Sequence, residues 1–331
     1  MPVSRLIIWT AHTRSSWNYR PKNGKRGIPP SMQTLKADGK YVPNDQVIED
    51  IKKILSGDLG YYGYEKTTWE LHDLGYLINK KKVYRLMNEA HLLLIRQRIA
   101  TKGKRQFIQF RCIDAQKPLE YLCMDIKYVY INGEKRFAYL LTVMAICTRF
   151  VLGHVIRYSI KKSDVVLLLD RILRGLKARG IIIRNDNGSQ FLAYIVRQYL
   201  ELMGVVQEFT HIASPEENSY IEALHSNLER ELIKRNWFNS LAHSRLLIME
   251  YYQVYNFKRK HRALKRRSPY QFINSYFPDF SDKHPFLFSR SLSRVALVAE
   301  ENHAATCLAL DKENNENNIF VESENQKIIL N

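Results

Sequence analysis

The chain has 331 residues, of which 51 are Lys or Arg and 33 are Asp or Glu, so its formal charge is +18 and its pI is near 9.6. This positive excess favours a polyanionic partner, with nucleic acid first and a ribosomal or membrane surface as alternatives. An apolar content of 45% argues against a simple basic arm, and the length allows two or three modules with cores of their own.

The sequence contains no run of 18 apolar residues, which is about the minimum for a helix that spans a bilayer. The apolar stretch near the start is too short for a signal peptide, so we expect a cytoplasmic protein without a membrane partner. Cys112, Cys123, Cys147 and Cys307 have no paired short spacing. They predict neither a zinc site nor a disulfide framework, and reduced, buried thiols are expected.

The first part of the chain predicts a basic arm followed by a small helical domain. Residues 1–43 are rich in Arg, Lys, Gly, Pro and Ser and predict an arm or linker. Three short helices follow, with Asn44 and Asn79 as candidate caps of the first and third. Three helices with a basic last one predict a helix-turn-helix domain over residues 44–99. Its DNA-contacting side chains would be Lys80, Lys81, Lys82 and Arg85, with a merely solvated basic face as the alternative.

A basic connector over residues 100–118 leads into a pattern that alternates strands and helices. Residues 121–130 and 137–145 predict a hairpin in which Asn132 and Gly133 supply the positive φ angles of a tight turn. The remaining elements alternate strand and helix and end in two helices: residues 149–158, 163–177, 181–184, 190–203, 205–209, the stretch from Glu222, and 241–256. This order predicts an α/β, RNase H-like mixed sheet with flanking helices over residues 119–275, preceded by a small all-α domain. A partly disordered C-terminal tail over residues 276–331 completes the prediction.

Three carboxylates occupy different settings within this predicted core. Asp125 lies inside an apolar strand, Asp186 follows the short strand and opens a turn, and Glu222 begins a charged helix. A carboxylate in a strand that reads as buried is costly unless its charge is compensated. Hard oxygen ligands suit Mg²⁺ or Mn²⁺. The three acids therefore predict a site for two such ions roughly 4 Å apart, the arrangement used in phosphodiester displacement.

The residues around the acids resemble a known family. Asp125 is followed by Ile126 and an aromatic residue, Asp186 lies in the stretch Asn-Asp-Asn-Gly-Ser-Gln-Phe over residues 185–191, and Asn218 precedes Glu222 by four residues. In this order they resemble the DDE catalytic core of bacterial insertion-sequence transposases of the OrfB type, which is similar to the retroviral integrase core. The resemblance covers roughly residues 20–275, and its order and spacing together carry more weight than any single motif.

The resemblance implies a transposase that cleaves DNA strands and transfers them at the ends of an insertion sequence. Asp125, Asp186 and Glu222 would be its catalytic residues and the ligands of two Mg²⁺ or Mn²⁺ ions. Its partners would be double-stranded DNA (terminal inverted repeats and target), further copies of the chain, and a helix-turn-helix segment that is encoded upstream or fused. The location implied is the bacterial cytoplasm, in association with the nucleoid.

Further side chains have expected roles near the acids and at the end of the last helix. Asn187 and Gln190 shape the Asp186 turn or touch substrate, although turn chemistry alone explains Asn187, and Asn218 shapes the site. The closing stretch of the last helix resembles the end of the family's core. Its predicted DNA-contacting residues are Lys258, Arg259, Lys260, His261 and Arg262, with a helix-terminal cap as the alternative for His261.

Three positions depart from the family pattern, although none removes a ligand. Lys127 replaces a small hydroxyl residue, Glu217 replaces an Asp, and Glu229 lies where the family usually has a base that can contact DNA. Two alternative functions therefore stay open. The chain could be a catalytically inactive DNA-binding regulator, or a partial transposase subunit that needs an upstream-encoded domain. It could also be an RNase H-type nuclease acting on RNA hybrids, which the basic helical domain disfavours.

Overall fold

The computed structural model describes residues 10, 13, 30–94, 113, 115–174, 176, 180–210 and 218–283, and it divides into two compact units. The first unit holds residues 30–54 and 63–93, and the second holds residues 55–62 and the chain from residue 94 onward. Most of the predicted connector and the tail beyond residue 283 lie outside the described residues. Within the described part, no helix combines the length and apolar character needed to cross a bilayer.

In the first unit, a small hairpin precedes three helices. Strands β1 (Gln33–Leu35) and β2 (Tyr41–Pro43) pair antiparallel, and Gly39 between them has a φ of 82°. The prediction of an arm is therefore wrong for these residues. The helices are α1 (Asn44–Ser56), α2 (Tyr64–Asp73) and α3 (Lys80–Glu89).

The three helices follow from their apolar spacing and from two asparagines. The Asn79 side chain accepts a hydrogen bond of 2.8 Å from the Lys81 amide, so it caps α3 as predicted. Asn44, by contrast, is the first residue of α1, and its side-chain amide donates to the Ser31 carbonyl at 3.1 Å. The buried faces carry apolar residues at helical spacing, each contributing roughly 1.5–3 kcal/mol by burial: Val47, Ile51, Leu71, Val83, Leu86 and Met87.

The second unit is built on a five-stranded mixed sheet. Its strands are β3 (Tyr121–Ile131), β4 (Arg136–Ala145), β5 (Val151–Arg157), β6 (Ile182–Asn185) and β7 (Val206–Phe209). They lie in the order β5-β4-β3-β6-β7, where β3, β4 and β5 are antiparallel neighbours and β6 and β7 run parallel to β3. The predicted RNase H-like mixed sheet is confirmed.

Helices cover both faces of this sheet. Because side chains alternate along a strand, Leu122 and Met124 of β3 face one side while Cys123 and Val129 face the other. The first side packs against α4 (Lys162–Arg174), α5 (Ser189–Leu192), α6 (Tyr194–Leu202), α9 (Pro269–Tyr276) and α10 (Phe280–Lys283). The second packs against α7 (Ser219–Glu231) and α8 (Leu241–Phe257). Asp125 falls on the side of α7.

The β3–β4 hairpin is present, but its turn differs from the prediction. The residue with positive φ is Lys135, at 51°, rather than Asn132 or Gly133. Glycine is required at position 133 for a different reason, since an added Cβ would lie 2.1 Å from the Asn239 carbonyl oxygen. The Gly133 amide also donates to the Phe238 carbonyl at 2.9 Å. Close approach of another backbone, not turn geometry, therefore explains this glycine.

Two helical predictions also need correction. The helix predicted over residues 190–203 is interrupted at Ala193, whose ψ of 135° separates α5 from α6. Helix α9 was not predicted, although Ser268 and Gln271 form a capping box at its start and Pro269 is its first residue. The Ser-x-x-Gln spacing is a sequence signal for a helix start and would have revealed α9.

Candidate active site

Asp125 and Asp186 come together where two parallel strands separate. The pairing of β3 with β6 ends at Cys123 and Arg184, and each acid lies two residues further along its own chain segment. Both therefore lie at the carboxyl-terminal side of the pairing, where open α/β sheets place their ligands. Asp125 is half-buried, so the burial suggested by its apolar strand is only partial, and Asp186 in the turn is exposed to solvent.

The electrostatics of Asp186 show that the two acids interact. Desolvation against the sheet raises the pKa of Asp186, a hydrogen bond from the Gly188 amide (3.0 Å) opposes this rise, and the negative charge of Asp125 adds to it. Among the described residues, neither carboxylate forms an ion pair with Lys or Arg. Like charges that lie this close disfavour their ionised forms, and a cation between them would reverse that effect.

Two contacts hold the Asp125 carboxylate. Its Oδ1 accepts from the Ile126 amide at 2.8 Å, and its Oδ2 lies 3.3 Å from Nδ1 of His225 on α7. His225 is buried, and its Nε2 has no hydrogen-bond partner among the described residues. The sequence analysis did not single out His225. Its position one helical turn after Glu222, on the same face, was the signal that pointed to it.

Glu222 lies in the first turn of α7 and is exposed. The spacing of three residues places it on the helix face that His225 turns toward β3. Within the described part of the chain, no three side chains among His, Cys, Asp and Glu are grouped closely enough to hold a metal ion. The structure thus brings Asp125 and Asp186 within electrostatic range of each other, while Glu222 lies exposed in the first turn of α7.

The residues predicted to shape the site have separate positions around it. Asn187 donates from its side-chain amide to the Thr210 carbonyl at 2.8 Å, which ties the turn after β6 to the end of β7. Gln190 lies in α5, four residues after Asp186. Asn218 precedes α7 and is buried, and its Oδ1 has no partner among the described residues.

A hard divalent cation fits this donor set. Two carboxylates of like charge interact there, and two buried polar atoms of or before α7 lack protein partners in the described part of the chain: Nε2 of His225, whose Nδ1 contacts Asp125, and Oδ1 of Asn218. Carboxylate oxygens are the preferred ligands of Mg²⁺ and Mn²⁺. The ions themselves and their number are matters of the proposal below.

The basic run after α8 is divided between solvent and interior. Arg259 is only 4% exposed, and its Nη2 and Nε lie 2.7 and 2.8 Å from the two carboxylate oxygens of Glu231. This geometry assigns Arg259 a structural role in place of the predicted DNA contact, and Lys260 is equally buried. Lys258 is exposed and forms an ion pair with Asp58. His261 lies edge-on against Tyr255 and 3.2 Å from Nη1 of Arg259, as a half-buried residue.

A basic turn follows this run. Arg262, Lys265 and Arg266 are exposed there, and an isolated bridge between His261 and Arg267 closes the turn. Lys265 and Arg266 both have positive φ, at 53° and 64°. The sequence predicted a DNA contact for Arg262 but not the turn that displays it together with Lys265 and Arg266.

The basic face of α3 is also divided. Lys80 and Lys81 are exposed, and Lys80 pairs with Glu65 at 2.9 Å. Lys82 and Arg85 are half-buried, and the Arg85 guanidinium donates to the Ser31 carbonyl at 2.9 Å. Burial lowers the pKa of Lys82, and the nearby charge of Arg85 adds to the shift. Lys82 and Arg85 thus help to fasten the chain before β1 onto α3.

Comparison with known proteins agrees with this arrangement. Residues 115–215 and 203–269 each match a family model described as Integrase core domain, and residues 43–99 match one described as HTH-like domain. The chain is 26% identical over 265 residues to the insertion element IS407 uncharacterized 31.7 kDa protein of Burkholderia multivorans, covering 78% of this chain and 92% of that protein. It is 25% identical over 293 residues to the putative transposase InsK for insertion sequence element IS150 of Escherichia coli K12, covering 84% and 95%. The solved HTLV-2 integrase catalytic core domain in complex with magnesium aligns with a TM-score of 0.38 and 11% identity, covering 47% of this chain and 97% of that one.

The mixed sheet, its two adjoining acids and the helical unit define the class of protein: an HTH-like domain followed by an integrase core domain. DNA integration is the function of that class. The resemblance in the sequence is confirmed: the chain matches the Integrase core domain and HTH-like domain models and is similar to proteins of insertion sequences, among them a putative transposase.

Proposed function

We propose that the chain is a DNA transposase that cleaves DNA strands and transfers them at insertion-sequence ends. The observation that carries this proposal is the meeting of Asp125 and Asp186 at the separation of β3 and β6, with their mutual repulsion. Both acids reach solvent, so a DNA phosphate has access to them. The named transposase among its relatives supports the same activity.

Asp125, Asp186 and Glu222 would hold two Mg²⁺ or Mn²⁺ ions, which supply activation of the attacking oxygen and stabilisation of the departing 3′ oxygen. The protein's part is to fix the acids. Ile126 and His225 hold Asp125, and the Gly188 amide orients Asp186. Glu222 would close the site from α7. This chemistry requires no covalent enzyme intermediate, so no Ser or Tyr nucleophile is needed.

The exposed cations would bind the DNA backbone. Lys80 and Lys81 in the first unit, and Lys258, Arg262 and the basic turn in the second, present positive charge to solvent. Phosphate contacts of this kind give affinity and positioning without naming bases. We further propose that several copies act together on the DNA ends in the bacterial cytoplasm, with an upstream-encoded helix-turn-helix segment as partner or fusion.

The replacement of Asp125 or Asp186 by Asn tests the catalytic assignment. D125N and D186N should reduce metal-dependent joining of a terminal-repeat duplex by at least about a thousandfold, because each removes a charge on which ion binding depends. Binding of the same duplex should change little. D170N is the matched control, since Asp170 pairs with Arg174 on the surface of α4. Near-normal joining by either active-site variant would refute the assignment.

A second candidate function is a DNA-binding regulator or partial subunit without catalysis. Glu222 favours it, since this residue is exposed and belongs to no group of three His, Cys, Asp or Glu side chains close enough to hold a metal ion among the described residues. The purified chain would then bind the terminal-repeat duplex but nick nothing with Mg²⁺ or Mn²⁺. Activity that returns on addition of the upstream-encoded segment would identify a partial subunit.

A further inference from the structure

A salt bridge links the strand of Asp125 to the helix of Glu222. Nζ of Lys127 on β3 lies 3.0 Å from Oε2 of Glu229 on α7. The two side chains are 19% and 33% exposed, so they are partly shielded from water and from salt. These residues are two of the three departures from the family pattern noted in the sequence, and the structure makes them partners.

This salt bridge forms the second of two parallel links between β3 and α7. The first link is the contact of Asp125 with His225 at 3.3 Å. Two residues of strand advance by about 6.6 Å, and four residues of helix advance by about 6 Å. The steps from Asp125 to Lys127 and from His225 to Glu229 therefore match, and α7 runs along β3 in one register.

Apolar contacts beneath α7 define that register less sharply. Ile221, Leu224 and Leu228 are buried against the sheet, but such contacts are non-directional and tolerate small sliding movements. An ion pair is directional and short-ranged. Glu222 lies one helical turn before His225, so any sliding of α7 along β3 moves the Glu222 carboxylate relative to Asp125 and Asp186.

Glu229 also controls the direction of the Lys127 side chain. Lys127 follows Asp125 by two residues and thus points to the same side of β3. The long, flexible Lys side chain can span the distance between these positions. If it turned back toward Asp125, its ammonium group would neutralise the carboxylate and compete with a metal ion for it.

We propose that Lys127 and Glu229 are a positioning pair, which sets α7 on β3 so that Glu222 can join Asp125 and Asp186, and which holds the Lys127 charge away from Asp125. The inference rests on the proposed transposase function. It assigns Lys127 and Glu229 a role that requires contact with neither DNA nor the ions.

Charge exchange in the full chain tests the pair. K127E and E229K each place two like charges side by side, whereas the double variant K127E/E229K restores an ion pair with the charges exchanged. We expect each single variant to slow metal-dependent joining by about tenfold and to raise the half-saturating Mn²⁺ concentration, and we expect the double variant to recover to within about threefold of the original chain. The same exchange at Glu49 and Lys52, an ion pair on α1 whose side chains are both more than half exposed, is the control and should change neither quantity.

A second readout needs no activity. Hydrogen exchange of the metal-free chain should be faster at the α7 amides around Glu222 in each single variant, and it should return to the original rate in the double variant. E229Q and K127M serve as milder changes if a reversed charge prevents folding. E229Q should raise the half-saturating Mn²⁺ concentration more than K127M does, because only E229Q leaves Lys127 able to reach Asp125.

The outcomes separate this inference from the proposed function. Single variants that join DNA and exchange like the original chain, or a double variant that melts normally but recovers neither property, would overturn the positioning role. If the original chain joins no DNA even with the upstream-encoded segment added, the proposed function fails. The exchange measurement still decides whether the pair sets the position of α7.

Discussion

Two acidic clusters lie along α7, and only one of them has its negative charge balanced by a cationic side chain. At the C-terminal end, Glu231 is buried, and it accepts from both Arg259 and the Tyr251 hydroxyl at 2.7 to 2.9 Å. Beside the middle of α7, where His225 contacts Asp125, the carboxylates of Asp125 and Asp186 repel each other and reach solvent. A carboxylate whose charge is compensated by a neighbouring cation is typical of a structural contact. Carboxylates without such a cation are suited to bind an ion, so the first cluster is assigned to the fold and the second to function.

The largest loss of stability is expected when the Glu231 cluster loses its Arg259 guanidinium. Burial opposes ionisation of Arg259, but its hydrogen bonds to Glu231 outweigh burial and raise the pKa of Arg259. R259M would leave the Glu231 carboxylate buried without its guanidinium, which should cost about 3–5 kcal/mol and lower Tm by about 10 °C. Thermal unfolding measures this. K258M in the same run is the exposed control and should cost less than about 1 kcal/mol, and equal losses in the two variants would contradict the contrast.

A smaller change, and a gain in stability, is expected when a divalent cation compensates the charges of Asp125 and Asp186. Mg²⁺ or Mn²⁺ at about 100 times its dissociation constant should raise Tm by roughly 5–10 °C, because an ion that binds only the folded state stabilises it. D125N and D186N should lose most of this rise, since each removes a ligand charge. D170N should keep it. An equal rise in all four proteins would place the ion elsewhere.

The smallest effect concerns His154, a basic group on the α8 side of the sheet. Its ring packs edge-on against Tyr252, and burial lowers the pKa of His154 from 6.5 to about 4. Between these values the unfolded chain binds more protons than the folded chain, so stability falls as the pH falls. H154F keeps a ring against Tyr252 but removes the titration. The drop in Tm from pH 7 to pH 5 should therefore shrink by a few degrees, and parallel pH curves would contradict this.

The positions of Asp125 and Asp186 could be predicted from the sequence, because they depend on local sequence patterns. Alternation along residues 121–131, the short apolar strand before Asp186 and the parallel order of β3 and β6 place both acids at one point of the sheet. The family resemblance named the same residues. The position of Glu222 depends on how α7 lies against β3, and no local pattern specifies that.

The balanced cluster could not be predicted in the same way. Glu231 lies at the end of α7, and Arg259 lies 28 residues later in the loop after α8. Only the packing of α7 against α8 and this loop brings them together. The sequence analysis therefore assigned Arg259 to DNA together with its basic neighbours. Gly133 is similar, since the backbone at Asn239 that excludes a side chain there is more than 100 residues away. Long-range contacts override local composition at both positions.

The basic turn at residues 261–267 has a backbone that most residues avoid. Lys265 and Arg266 occupy left-handed conformations, which cost roughly 1–2 kcal/mol each and which glycine would adopt freely. The side chains of Lys265 and Arg266 therefore extend from a turn whose backbone conformation is fixed in the folded chain. The Tyr276 ring lies 4.8 Å from Nζ of Lys265. Binding of a polyanion to this basic turn would cost little conformational entropy of the protein backbone, because the turn is already ordered by folding.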